Sequence, residues 1–341
     1  MEKLEYRKLD HIELAFDSQT GVSQLDPRFH YEPLLRAHPK KGLEPVHILG
    51  KELKVPIWVS SMTGGTEKAG TINRNLARAC NEFGMGMGLG SCRIILDDET
   101  YFEDFNMRTI IGDHLPLWAN LGIAQVEELV EKKKINQITK LIERLQADGL
   151  IIHVNPMQEW FQPEGDILLS QPLETIKRLL DQFKYPVIVK EVGQGMGPAS
   201  LRELLRLPLQ AIELAAFGGT NFAKLELLRN SKVMRSLFEP LSAIGESAAQ
   251  MVAYINDIVT EEDTLCKELI LSGGVKNFLD GYYLIKKSTL PSIYGMASTF
   301  MKYAREDYGQ LRYFVDSQVQ GLEIADAYLT IKDQGNADAA G

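Results

Sequence analysis

Cysteine is scarce in this chain, and the spacings that give it structural work are missing. Three cysteines, Cys80, Cys92 and Cys266, stand far apart in 341 residues, and no two form a C-x-x-C pair. An odd, scattered set argues against a disulfide framework and against a thiolate zinc site. No apolar run approaches the ~18 residues of a membrane span. No signal-peptide pattern opens the chain, so the cytoplasm is the expected compartment. Positive charge is also in deficit: 37 Lys and Arg face 46 Asp and Glu, for a formal net charge of −9. Broad nucleic-acid binding needs a basic surface, so that class is disfavoured. Any anion site must instead be a local gathering of cations and backbone N–H groups. Finally, no G-x-G-x-x-G opens a helix after the first strand, which counts against a doubly wound dinucleotide-binding sheet.

What the chain does contain is a rhythm. Short apolar runs alternate with longer amphipathic ones. Eight strand candidates follow one another: Pro56–Ser61, Gly84–Gly90, Pro116–Leu121, Gly149–Asn155, Pro186–Val192, Ala211–Phe217, Leu269–Gly273 and Ser292–Ala297. Helical patterns fall between them at Thr71–Phe83, Val126–Gln146, Pro172–Phe183 and Ala199–Leu205. Strands alternating with helices imply parallel βαβ units, and eight of them predict an α/β TIM (β/α)8 barrel. The long interval after Ala211–Phe217 predicts an insertion after strand six, with helices around Leu225–Leu237 and Glu246–Ile258. Residues 1–55 are expected to form an N-terminal cap segment, 56–332 the barrel and 333–341 a disordered tail. In Gly84–Gly90 the glycines recur at every second position, so they share one strand face that something approaches closely. A packed helix is the expected neighbour of the first two.

Barrel chemistry sits at the C-terminal ends of the strands. The ends expected here are polar or glycine-rich: Ser60-Ser61 then Met62-Thr63, Ser91-Cys92-Arg93, Asn120, His153 to Glu159, Lys190-Glu191, Gly218-Gly219-Thr220, Ser272-Gly273-Gly274 and Ala297-Ser298. Lys190 ends an apolar strand, where a charge needs a partner. A Schiff base, a phosphate and a flavin ring are all open possibilities for it, as is a salt bridge to Glu191. His153 suits a base, a metal ligand or a hydrogen-bonded core residue. Glu159 suits a hard cation bound through oxygen, or a solvated loop. Gly273 and Gly274 suit a phosphate approached by backbone N–H groups, or an ordinary tight turn. Arg7 and Lys8, on spacing alone, read as solvated surface.

Taken together, these motifs resemble type 2 isopentenyl-diphosphate isomerase, a flavin-dependent barrel enzyme, over roughly residues 5–300. The carrying motifs are Arg7-Lys8 with His11, Met62–Gly65 (MTGG), Gly90–Arg93 (GSCR), Asn120-Leu121-Gly122, His153–Glu159 (HVNPMQE), Val189–Gly193 (VKEVG), Gly218–Thr220 (GGT) and Ser272–Val275 (SGGV). HVNPMQE is the most specific of them. The resemblance implies FMN across the mouth near Ser61, Met62, Thr63, Ser91, Asn120, Lys190 and Thr220. The FMN phosphate would rest on Gly273, Gly274 and Val275 with Ala297 and Ser298. The substrate diphosphate would meet Arg7, Lys8, Ser91, Cys92 and Arg93. His153 and Gln158 would border the substrate and serve catalysis beside FMN N5, and Glu159 would bind Mg2+. The implied reaction converts isopentenyl to dimethylallyl diphosphate by a 1,3-allylic proton shift. NADPH would be the reductant, and the protein a homo-oligomer, tetramer or octamer. Two other functions fit the same barrel: an FMN-dependent oxidoreductase of the hydroxy-acid oxidase type, and a non-catalytic relative that binds phosphate ligands.

The chain departs from the family pattern at the flavin-phosphate end. Asn221-Phe222 follows GGT where relatives carry Ser or Thr and then Trp. Phe278 replaces a glycine, Lys276 an arginine, and Ser298-Thr299 stands for Arg-Pro.

Overall fold

The computed structural model describes residues 2–39, 42–61, 64–96 and 98–332. The tail from 333 onward therefore lies outside the described residues, as do Met62 and Thr63. The chain divides into two compact units, residues 1–36 with 328–341, and residues 37–327.

The terminal unit contains the helix Glu2–Glu13 and an antiparallel pair of three-residue strands, Phe29–Tyr31 against Leu329–Ile331. Arg7 and Lys8 lie on that helix with exposed side chains.

The larger unit is a closed parallel barrel. Its strands are β1 (Ile57–Val59), β2 (Gly86–Gly88), β3 (Leu117–Gly122), β4 (Gly149–His153), β5 (Val187–Lys190), β6 (Ala211–Glu213), β7 (Leu269–Ser272) and β8 (Ser292–Met296). Each pairs with its sequence neighbours, and β8 closes on β1. All eight strand candidates contain strands, seven of them shortened at one or both ends and the third shifted to run one residue past Leu121, to Gly122. The runs were recognisable because β-branched and large apolar residues, buried on both faces in such a barrel, sit between glycine and proline breaks. Trp58, Trp118 and Tyr294 are among the largest fully buried side chains.

Three expectations are corrected in detail. Gly84 belongs to no strand. It is the left-handed cap, at φ 71, of the helix Glu67–Phe83, and its N–H bonds to the Cys80 carbonyl at 2.8 Å. Gly86 does face something close, but not the expected helix, and Gly88 is crowded in the same way. A β-carbon at Gly86 would collide with the Trp58 ring, and one at Gly88 with Ile151 of β4, two strands away, so this is the barrel interior. The stretch Val126–Gln146 is two helices, Ile123–Glu131 and Ile135–Leu145, broken where Lys133 turns to φ 55. Its apolar spacing stops after Val130 and resumes only at Ile135, so one continuous helix could not keep a single face on the core.

The insertion after strand six carries three α-helices, Phe222–Arg229, Lys232–Phe238 and Ala248–Glu261, with a 3-10 turn at Glu239–Ala243. Ser231 separates the first two because its hydroxyl caps the Met234 N–H at 3.2 Å, starting a new helix mid-pattern. Among the described residues, no helix is long and apolar enough to cross a membrane.

Candidate active site

The C-terminal ends of β1, β5, β6, β7 and β8 enclose one cleft. Its lining includes Ser60 and Ser61 after β1, Lys190 and Glu213 at the ends of β5 and β6, and Thr220. Gly273, Gly274 and Val275 follow β7 into it, and Ala297 and Ser298 follow β8. Nine of these residues, all but Glu213, were singled out in the sequence and converge here.

The glycine turn is built for close approach. Gly273 has φ 92 and Gly274 φ 73, conformations that L side chains rarely adopt. A β-carbon on Gly273 would lie 2.1 Å from the Ala216 nitrogen. The turn therefore packs its backbone against the backbone of Ala216 and, at Gly274, of Gly218. Among the described residues, the N–H groups of Gly273, Gly274 and Val275 have no partner. The helix Phe278–Lys287 that follows is capped by Asn277, which accepts from Leu279 and Asp280 N–H. The helix Ser298–Ala304 starts beside the same cleft with no capping side chain. Unpaired N–H groups at such places favour an anion. Phe278 does not enter this turn. Its ring packs over Gly321 in the helix Tyr308–Tyr328, where a β-carbon would stand 2.3 Å from ring carbon Cδ1. The glycine missing from the phosphate turn is matched by a glycine on the far helix.

Lys190 is buried at 6% exposure. Its Nζ donates to the Glu191 carbonyl at 2.7 Å. The salt bridge to the Glu191 carboxylate is not formed. That carboxylate accepts from the N–H groups of Gly193, Gln194 and Gly195 through Oε2, at 2.6, 2.6 and 2.9 Å. Burial still raises the Glu191 pKa, against those donors and Lys190.

Beside Lys190, on the neighbouring strand and in register with it, stands His153. Its Nδ1 lies 2.7 Å from Asn120 Oδ1. Asn120 itself is fixed because its Nδ2 donates to the Leu89 carbonyl at 3.1 Å. The oxygen that faces His153 can only accept, so Nδ1 carries the proton and Nε2 keeps its lone pair. Burial first, and the Lys190 charge second, push the His153 pKa down to about 3. The imidazole is neutral at ordinary pH.

From His153 the chain turns into the short helix Pro156–Phe161, which carries Gln158 and Glu159. Asn155, 1% exposed, donates to Glu159 Oε1 at 2.8 Å and to Gln158 Oε1 at 3.2 Å. Glu159 Oε2 accepts the Asp166 N–H at 2.9 Å. The Asp166 carboxylate takes Arg93 at 2.7 Å and Gln125 at 3.0 Å. Gln158 reaches Glu226 at 3.4 Å. One network therefore joins Arg93, Gln158 and Glu159. Among the described residues, no group of three His, Cys, Asp or Glu gathers to hold a metal. Ser91 is exposed beside it. Cys92 is fully buried, with its thiol on the Gly90 carbonyl at 3.4 Å and its pKa pushed up to about 12 by burial. Its backbone is engaged as well: the N–H donates to the Asn120 carbonyl at 2.8 Å, and the carbonyl accepts the Ile95 N–H at 3.1 Å, so the expected contact of Cys92 with substrate is not offered by this structure.

No family model matches the chain. The isopentenyl-diphosphate delta-isomerase of Deinococcus radiodurans is 35% identical over 282 residues, covering 81% of this chain and 80% of that protein. The Rickettsia felis isomerase of the same name is 31% identical over 351 residues, covering 97% and 95%. The chain belongs to the isopentenyl-diphosphate delta-isomerase family. It is thus an enzyme, and its barrel agrees with the type 2 branch. Among solved structures, a flavocytochrome b2 variant with benzoylformate aligns at TM-score 0.62 and 13% identity, covering 92% of this chain and 77% of that one. A mandelate oxidase variant with an FMN adduct aligns at TM-score 0.57 and 13% identity, covering 94% and 96%. At such identities these neighbours speak for the fold alone.

Several residues at the mouth escaped the sequence argument. Asp166, Gln125 and Glu226 lie in a loop or on helices outside any motif, and nothing local marks them. Glu213 had a signal: it is the single ionisable residue in the apolar run Ala211–Phe217. Ala215, three residues before Gly218, holds φ 42, and its N–H bonds to Ser272 Oγ at 3.0 Å. A non-glycine residue in that region is strained, and strain of this kind gathers at functional sites.

Proposed function

We propose that the chain converts isopentenyl diphosphate to dimethylallyl diphosphate by a 1,3-allylic proton shift, using FMN, Mg2+ and NADPH as reductant. The observation that carries this is the meeting of two groups at one mouth. The HVNPMQE side chains adjoin Lys190 on one side, and Lys190 shares its cleft with the glycine turn on the other. The relatives' shared name and the FMN adduct in a neighbour of the same fold support it.

The cleft fits FMN by its unmet chemistry. Ser60 Oγ, Ser61 Oγ and Glu213 Oε2 are buried polar atoms with no partner, and all three residues line it. The cradle at Gly273 to Val275 offers N–H groups that suit the FMN phosphate, with Ala297 and Ser298 opposite. Ser61, Ser91, Asn120, Lys190 and Thr220 would hold the ring system, and the Lys190 charge suits a flavin's anionic reduced form. When bound and reduced, the flavin supplies the acid and base for the proton shift.

The remaining work falls to the chain. Neutral His153, with Nε2 open as an acceptor, borders the substrate without adding a charge that would repel cationic character. Gln158 orients the alkene end beside it. Glu159 would hold Mg2+ by one carboxylate, with the substrate's phosphate oxygens completing the sphere. Arg93 and Ser91 would take the diphosphate. Buried walls exclude water and protect the allylic centre from capture. The hydroxy-acid oxidase alternative needs an imidazole that takes a proton near neutral pH, and His153 is held far from that. The resemblance extends to a tetramer or octamer, which sedimentation would measure.

The test is an anaerobic assay with isopentenyl diphosphate, Mg2+, FMN and NADPH. Dimethylallyl diphosphate should appear only when FMN and reductant are both present. Bound, reduced FMN without product would overturn the proposal. A colourless protein that takes up no FMN would favour the non-catalytic alternative.

A further inference from the structure

Glu213 ends β6 with no exposed surface, and strand register sets it against Lys190 on β5. Both residues line the cleft. Glu213 Oε1 accepts from Ser272 Oγ at 3.1 Å. That hydroxyl also accepts the Ala215 N–H, so its own proton is committed to Glu213. Oε2 has no partner. Lys190 is in a matching position: buried, with one carbonyl acceptor, and in no ion pair among the described residues. A buried carboxylate and a buried ammonium are each costly alone and compensate each other when close.

We infer that Glu213 is a positioning residue for Lys190: its buried carboxylate sets how much positive charge the mouth presents to the bound flavin. This rests on the FMN site proposed above. Ser272 anchors one oxygen so that the other remains directed at the cleft. The carboxylate tempers the ammonium, and so lowers the preference of the site for the anionic reduced cofactor over the neutral oxidised one. A residue that served packing alone would change the affinity for both forms together.

The experiment uses the full-length protein reconstituted with FMN, with the flavin midpoint potential read by equilibration with a reference dye. Glu213→Gln removes the negative charge and keeps the shape. It should favour reduced over oxidised FMN by about tenfold, a rise of about 30 mV for a two-electron couple. Glu213→Asp draws the carboxylate back by one methylene and should shift the potential in the same direction by less. It decides the matter if the Gln variant does not fold. An unmoved or lowered potential in a variant that binds FMN overturns the inference while leaving the FMN site intact. Failure of the wild-type protein to bind FMN overturns the proposed function itself, and this inference with it.

Discussion

The contact between Phe278 and Gly321 decides whether the loss of a glycine beside the phosphate turn harms the site. Gly321 lies in the interior of the helix Tyr308–Tyr328. On propensity alone, Gly321→Ala should gain about 1 kcal/mol. Its new β-carbon would stand 2.3 Å from the Phe278 ring, so something must shift. Overpacking of this kind costs about 1–3 kcal/mol. The net expectation is a loss of about 0–2 kcal/mol. In a Phe278→Ala background the collision is gone, and the same substitution should stabilise by about 1 kcal/mol. The coupling is therefore about 1–3 kcal/mol, read from urea unfolding of the four proteins in a double-mutant cycle. If Gly321→Ala has the same effect in both backgrounds, within about 0.5 kcal/mol, Phe278 does not pack there. In that event its ring would be free to crowd the phosphate turn. The packed arrangement also predicts that restoring glycine by Phe278→Gly leaves FMN binding no tighter.

Three further outcomes are expected. His153 should show no protonation by NMR from pH 8 down to about pH 4, because its folded pKa lies near 3. Since the unfolded value is about 6.5, its contribution to stability is complete above that pH and is lost as pH falls from there to about 3; a His153→Gln variant should lack this slope in pH-dependent unfolding. Arg93→Ala should cost under about 1 kcal/mol of stability, because the pair with Asp166 is solvent-exposed, yet raise the substrate KM at least about tenfold; an unchanged KM would remove Arg93 from the diphosphate site. Gly273→Ala drives a β-carbon into the Ala216 backbone, so it should destabilise by about 2–4 kcal/mol and lower FMN affinity together, and normal values of both would refute the cradle.

The barrel was legible because its strands are short apolar runs closed by glycine or proline, a signal that survives without any knowledge of partners. The glycine ladder Gly84–Gly90 misled at one end. A left-handed helix cap and a strand facing a crowded interior both call for glycine, and period two cannot separate them. Lys190, His153 and the glycine turn were found because polar or flexible residues at the ends of apolar strands have few structural uses. The ligands of Arg93 and Gln158 were hidden, since Asp166 and Glu226 come from separate segments that only the folded chain brings together. Glu213 was visible as a lone charge in an apolar strand, but its importance depends on the missing partner for Oε2. The effect of Phe278 depended on Gly321, 43 residues away by the numbering, and no local pattern links them.

The central claim is that this mouth isomerises without net redox change while depending on a reduced flavin. It is tested most directly by counting dimethylallyl diphosphate formed per NADPH consumed, anaerobically, with FMN and Mg2+ supplied. Many turnovers for each NADPH are expected, and no product when FMN is left out. One NADPH oxidised per product, or undiminished turnover without FMN, would contradict it.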